Sequence, residues 1–393
     1  MDSGVIVVER RGSIALYAPE TGGWGRLQLQ AAGSWPVWHP LTRSAAISVV
    51  NAGAEPFSTI EHIDLEGHHI RTLHRTPAGA PPVIAPRVPH YAIWSPRGDV
   101  LSYVAAGQEG LSLFLTDTSG SLVSDAVVTA APIFSAWSPD GRHLAVHAGN
   151  EMVALDIDGD RRPRVIADQA FGFRAPAYSN DGSALVYGVV EDSAVKVIRA
   201  GPSGADPTEV ARFPGGVALA FRPGTNELTA AVTLSPNTGV FDELWSLGDV
   251  TTGSRESRRI AMGPFVAFLW APTGDKVALV VPGQAGDGRY TIRAISGTGT
   301  VVGTTEAFFP SQDYRTALAF FDQYVKSHHF WSPNGERLII CGRIGGDLVS
   351  ASFGDPEGPY VFVWRAAAGQ PVEGIGPGEL GVFRPPPGAS GTA

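Results

Sequence analysis

Short apolar runs separated by turns containing Gly, Pro, Asp or Asn repeat along the whole chain, a pattern that predicts many β-strands and little helix. A recurring signature organises these runs. Its clearest copies are Trp94-Ser95-Pro96-Arg97-Gly98, Trp137-Ser138-Pro139-Asp140-Gly141 and Trp331-Ser332-Pro333-Asn334-Gly335. Looser copies are Tyr178-Ser179-Asn180-Asp181-Gly182, Trp270-Ala271-Pro272-Thr273-Gly274 and Phe221-Arg222-Pro223-Gly224, and Trp38-His39-Pro40 occupies the corresponding place near the N-terminus. An apolar strand follows each copy, then a variable loop, a third strand such as 152–157 and a fourth such as 164–166. Proline has no N–H to give to a continuing ladder, so it ends the first strand. Asp-Gly or Asn-Gly closes a tight turn that requires positive φ. The aromatic before the turn fills the wedge between adjacent sheets. One four-stranded sheet cannot bury both of its faces, so neighbours must stack around an axis, and the expected fold is an all-β propeller.

The anchors Trp38, Trp94, Trp137, Tyr178, Phe221, Trp270 and Trp331 are spaced by 56, 43, 41, 43, 49 and 61 residues, which marks seven four-stranded blades. The two ends supply an eighth. Three strand-like runs, 5–9, 13–17 and 24–29, read as the second to fourth strands of a blade that lacks its first. Gly381-Val382-Phe383-Arg384-Pro385 has the look of Ala220-Phe221-Arg222-Pro223 and would be that missing strand. Sharing a blade between the ends removes an open sheet edge. The expectation is eight blades closed in this way, with seven as the alternative count. Residues 1–385 would form one propeller domain, and 386–393, following three prolines, a disordered tail.

The Trp-Ser-Pro-Asp-Gly repeat resembles that of TolB-type propellers, which also occurs in the propeller domains of prolyl-oligopeptidase-like enzymes, and the resemblance covers essentially the whole chain. It implies a propeller fold; the repeat itself serves many unrelated roles. The prolyl-oligopeptidase-like enzymes need a G-x-S-x-G nucleophile elbow on an α/β-hydrolase domain, and the chain contains no such sequence. TolB carries an additional N-terminal α/β domain and an export signal, neither of which is read here, so its Pal-binding role is not carried over.

Three insertions interrupt the blade rhythm. Residues 76–90 carry five prolines and end on Arg87 and His90; residues 341–359 carry five glycines among Arg343, Asp347, Asp355 and Glu357. The third, 311–326, has a different period. Tyr314, Ala317, Leu318, Phe321, Tyr324 and Val325 fall on one face of a helix, with Asp313, Arg315, Asp322, Gln323 and Lys326 on the other sides. Ser311 and Asp313 provide a capping residue and a first-turn acid. This helix is expected over the channel mouth, leading His328 and His329 into an innermost strand.

Composition narrows the function classes. The net charge of −9 argues against a nucleic-acid partner, and no apolar run approaches the ~18 residues of a membrane span. A lone cysteine, Cys341, and an N-terminus without a basic region fit a cytoplasmic protein. There is no Walker A sequence, no H-E-x-x-H and no C-x-x-C. The expected function is a binding propeller that recognises a small molecule or peptide segment at the channel mouth through Arg87, Arg174, Tyr314, Arg315 and Lys326. The alternative is a lyase, isomerase or hydrolase in which His90, His328 or His329 acts as general base, or binds a divalent metal as cofactor, with Asp322 orienting it. A scaffold that binds a protein partner on its rim is the third reading.

Overall fold

A computed structural model describes the chain except residues 1–3, 10–11, 28, 30, 52–56, 65–67, 76–89, 107–109, 120–125, 173, 235–238, 254–255, 285–286, 346–357 and 386–393. The insertion at 76–89, most of the one at 341–359 and the expected tail therefore lie outside the described residues. Among the described residues the strands form six four-stranded antiparallel sheets and one eight-stranded sheet. Five four-stranded sheets are sequential, with first strands Ala32–Trp38, His90–Trp94, Ile133–Trp137, Ala177–Tyr178 and Val217–Phe221. The sixth joins the ends of the chain. Leu380–Phe383 pairs with Val5–Val8 in the register Val5 to Phe383 and Val8 to Leu380, and Ile14–Ala18 and Gly23–Leu27 complete that sheet. The eight-stranded sheet follows two anchors, Trp270 and Trp331; the short strand Phe308–Pro310 stitches Tyr290–Ser296 to Arg337–Ile344 and keeps the two sets of strands continuous. The architecture is a β-propeller.

The anchor tryptophans hold neighbouring sheets by a repeated bond. The Trp137 indole N–H donates to Ile93 O (3.3 Å) and Ser102 Oγ (3.0 Å), that of Trp331 to Leu269 O (3.0 Å), and that of Trp38 to Val382 O (3.3 Å). Each carbonyl belongs to the residue just before the preceding anchor, which identifies Phe383 as the anchor of the closing sheet. The turn after the anchor is latched by its serine. Ser138 Oγ donates to Asp140 Oδ1 (2.6 Å) and accepts from His143 N (2.9 Å), and Ser332 does the same with Asn334 and Arg337. Gly141 and Gly335 sit at φ 69° and 66°, the left-handed conformation that the turn requires.

The helix expected over 311–326 forms in two pieces, α1 (Gln312–Ala319) and α2 (Phe321–Tyr324), broken at Phe320 with φ −119° and ψ 40°. Ser311 caps α1: its Oγ accepts from Tyr314 N (3.2 Å) and donates to Glu379 O. Among the described residues no helix is long and apolar enough to cross a membrane.

Candidate functional site in the channel

The segment 311–329 enters the ring instead of lying over its mouth. α2 touches three first strands, Ile133–Trp137, Val217–Phe221 and Ala267–Trp270. The inner edge of a propeller leaves backbone groups unpaired toward the channel, and a buried unpaired N–H costs about 1–3 kcal/mol. α2 answers two of them. Asp322 Oδ2 accepts from Ala175 N and Gln323 Oε1 from Ser135 N, both at 2.7 Å. Asp322 and Gln323 are therefore buried, against the expectation that they take the polar sides of a surface helix.

Aromatic rings complete the fit. Phe321 meets Phe241 and Phe268 edge-on at 6.0 and 5.1 Å, and Phe320 packs on Phe134 at 6.1 Å. Tyr324 stacks on Trp35 at 4.8 Å and meets Tyr91 edge-on at 5.1 Å. Trp35 and Tyr91 both lie three residues before an anchor, both stand where the strand register shifts, and both have left-handed φ, 49° and 51°. Such a conformation costs a bulky residue about 1–3 kcal/mol, and here packing against Tyr324 holds it in place. Neither residue was singled out by the sequence; their shared offset from Trp38 and Trp94 is the signal that could have found them.

His90 and His328 converge on the same cluster. His90 Nδ1 lies 3.3 Å from the Tyr324 hydroxyl, and the His90 and His328 rings sit 5.7 and 5.8 Å from Trp35. His328 Nδ1 is 2.9 Å from Ser327 Oγ. Among the described residues, the Nε2 atoms of both histidines are buried without a hydrogen-bond partner. His329 is only partly buried and pairs through its backbone with Phe383, whose N–H donates to His329 O at 2.8 Å. Burial lowers His90 to about 4, His329 to about 4 and His328, with His329 beside it, to about 3. All three are neutral at pH 7.

The other candidates scatter. Arg174 approaches Asp322 Oδ1 at 3.5 Å and lies over the Phe241 ring at 5.0 Å. Tyr314, expected to meet a ligand, is instead fully buried, its hydroxyl donating to Ile339 O at 3.1 Å, because it anchors α1 to the sheet. Arg315 is exposed and donates to Gln312 Oε1 at 2.5 Å. Lys326 is partly exposed. Arg87 lies outside the described residues.

A void of about 90 Å³ remains beside α2. Leu219, Phe268, Trp270, Phe321, Val325 and Trp331 form its apolar walls, and Asp322, His328 and His329 its polar side. Pro223 and Pro272, from two repeat turns, also line it, so it lies toward the turn end of the ring and not toward the entry face where a mouth was expected. Among the described residues no group of three or more His, Cys, Asp or Glu side chains is arranged to hold a metal ion.

No family model matches the chain, and no curated protein sequence matches it. Among solved structures it is similar to a crystal structure of the eukaryotic initiation factor, with a TM-score of 0.58 and 13% identity over 98% of this chain and 99% of that one. It is similar to TolB from Acinetobacter baumannii, with a TM-score of 0.42 and 14% identity over 86% and 82% of the two chains. An oligogalacturonate lyase in complex with manganese gives a TM-score of 0.47 and 12% identity over 83% of each chain. At these identities the likeness is one of fold alone.

Proposed function

We propose that this protein is a binding propeller that holds a small molecule in the void beside α2, a molecule with an apolar body and at least one hydroxyl or similar hydrogen-bonding group. The carrying observation is that, among the described residues, His328 Nε2 is buried without a hydrogen bond in a residue that lines this void, beside Asp322, whose Oδ1 has no hydrogen bond and only the 3.5 Å ion pair with Arg174. Leaving such atoms unsatisfied is costly, and a hydroxyl, which both donates and accepts, suits a neutral imidazole in either tautomer beside a carboxylate. The apolar walls supply affinity by burial. A volume of about 90 Å³ admits a few non-hydrogen atoms, which favours a small molecule over a peptide segment. The enzymatic reading draws less support, since imidazoles lowered to about 3 and 4 are weak bases at neutral pH. The single cysteine, Cys341, supports a reducing compartment such as the cytoplasm.

Native mass spectrometry of protein purified from its own host tests this reading. The wild type should carry a non-covalent small-molecule adduct. Ala220→Phe, which fills the void from an inner strand, should lose it while retaining a cooperative melt. A wild-type mass equal to the polypeptide alone, or an adduct kept by Ala220→Phe, would contradict the proposal.

A further inference from the structure

A larger hollow lies on the rim of the ring. The strand Arg258–Phe265 is the outermost of the sheet that begins at Val217–Phe221, and it meets the next sheet along a groove of about 380 Å³. Strand pairing decides what that next sheet presents. Arg293 stands opposite Leu279, and Ile295, two residues on, stands opposite Val301, so these four side chains share one face, and all four line the groove. Ile260 lines it from the outermost strand and, with Leu279 and Ile295, makes a buried apolar floor. Met262 and Val301, also in the lining, are left 63% and 55% exposed. The turn at Gly299, which lines the groove too, is held against the outermost strand. A Cβ on Gly299 would stand 2.3 Å from Ile260 O, and Arg258 donates to Gly297 O at 2.9 Å.

The groove carries charge of one sign. Its lining holds two arginines and, among the described residues, no Asp or Glu, in a chain whose net charge is −9. Arg259 is committed, donating to Glu243 Oε1 at 2.7 Å. Arg293 is not: it is partly buried, and among the described residues no hydrogen bond or ion pair engages its guanidinium. We propose that this groove binds a small aliphatic monocarboxylate, with its carboxylate on Arg293 and its chain along Ile260, Met262, Ile295 and Val301. A guanidinium presents parallel N–H donors that match the two oxygens of a carboxylate. One uncommitted positive charge balances one negative charge, which favours a carboxylate over a phosphate dianion. Covering the exposed parts of Met262 and Val301 supplies affinity by burial, and the volume lies in the range of small-molecule sites.

Titration calorimetry with octanoate and with octan-1-ol, which keeps the chain and lacks the charge, tests this. A single octanoate should bind each protein chain, and octanol should bind at least about tenfold more weakly, the worth of a charge-assisted hydrogen bond. Arg293→Gln should weaken octanoate by a similar factor and leave octanol unchanged. Val301→Glu, a change at an exposed position that the fold tolerates, should weaken octanoate at least as much by setting a like charge beside it. Ala220→Phe should leave octanoate binding intact, so the groove and the void can fail separately. Absence of saturable octanoate binding, equal affinity for octanoate and octanol, or octanoate binding indifferent to either groove variant would overturn the proposal.

Discussion

Single side chains carry much of the ring's cohesion, and the indole N–H of the anchors shows how. Trp137 makes two bonds to the preceding sheet, whereas the Nε1 of Trp94 is buried without a partner among the described residues, its ring packed against His39 at 4.8 Å and His62 at 5.3 Å. Replacing either by Phe removes a similar apolar surface but a different number of hydrogen bonds. Trp137→Phe should therefore cost about 1 kcal/mol more stability than Trp94→Phe in urea unfolding. Equal losses would mean that the bonds contribute nothing beyond packing. The repeat announces its anchor and its turn glycine. It does not announce that Ser138 latches the turn or that Trp137 reaches back to Ile93, because both depend on partners that only the folded ring supplies.

At the scale of an element, the segment 311–329 is where sequence and structure differ most. Its apolar period was legible, and Tyr314, Ala317, Leu318, Phe321 and Tyr324 are buried as that period requires. The break at Phe320 and the burial of Asp322 and Gln323 were not, because a one-helix pattern assigns polar residues to solvent and cannot see a channel lined with unpaired N–H groups. The meeting of His90 with His328 was half legible: both precede first strands, but the Trp35 and Tyr91 rings that surround them follow from a bulge with no turn signature. If α2 closes the inner edge as described, Gln323→Met leaves Ser135 N unpaired. That change should cost about 1–3 kcal/mol and speed hydrogen exchange at Ser135 selectively. Uniform exchange across the inner strands would show that Gln323 does not protect that amide.

The whole molecule adds these contributions around a ring whose closure was readable from its ends, since Gly381 to Pro385 repeats the look of an inner strand and pairs with Val5–Val8. The sequence counts Trp270 and Trp331 as anchors of two separate blades; that their strands join in one eight-stranded sheet was not readable, because Phe308–Pro310 is a stitch with no anchor of its own. The ring also holds several histidines neutral. Burial lowers His62, His74 and His90 to about 4 and His328 to about 3, and His39 is lowered too, its Nδ1 accepting from Leu41 N and Thr42 N. A folded pKa below the unfolded 6.5 stabilises fully above pH 6.5 and loses that contribution as pH falls through the folded value. The melting temperature should thus be level above pH 6.5 and decline from there toward pH 4, ahead of the carboxylates; a level profile down to pH 4 would refute the burial of these rings as neutral groups.

We propose that the channel, filled by α2, keeps a small void that holds a ligand. The most direct measurement is a crystal structure of the protein purified from its own host, with the density inside the ring examined between Asp322, His328 and Trp331. Connected density larger than water should appear there, in hydrogen-bond contact with His328 Nε2 and Asp322 Oδ1. Isolated waters at those two atoms, or side chains closing the space, would contradict it.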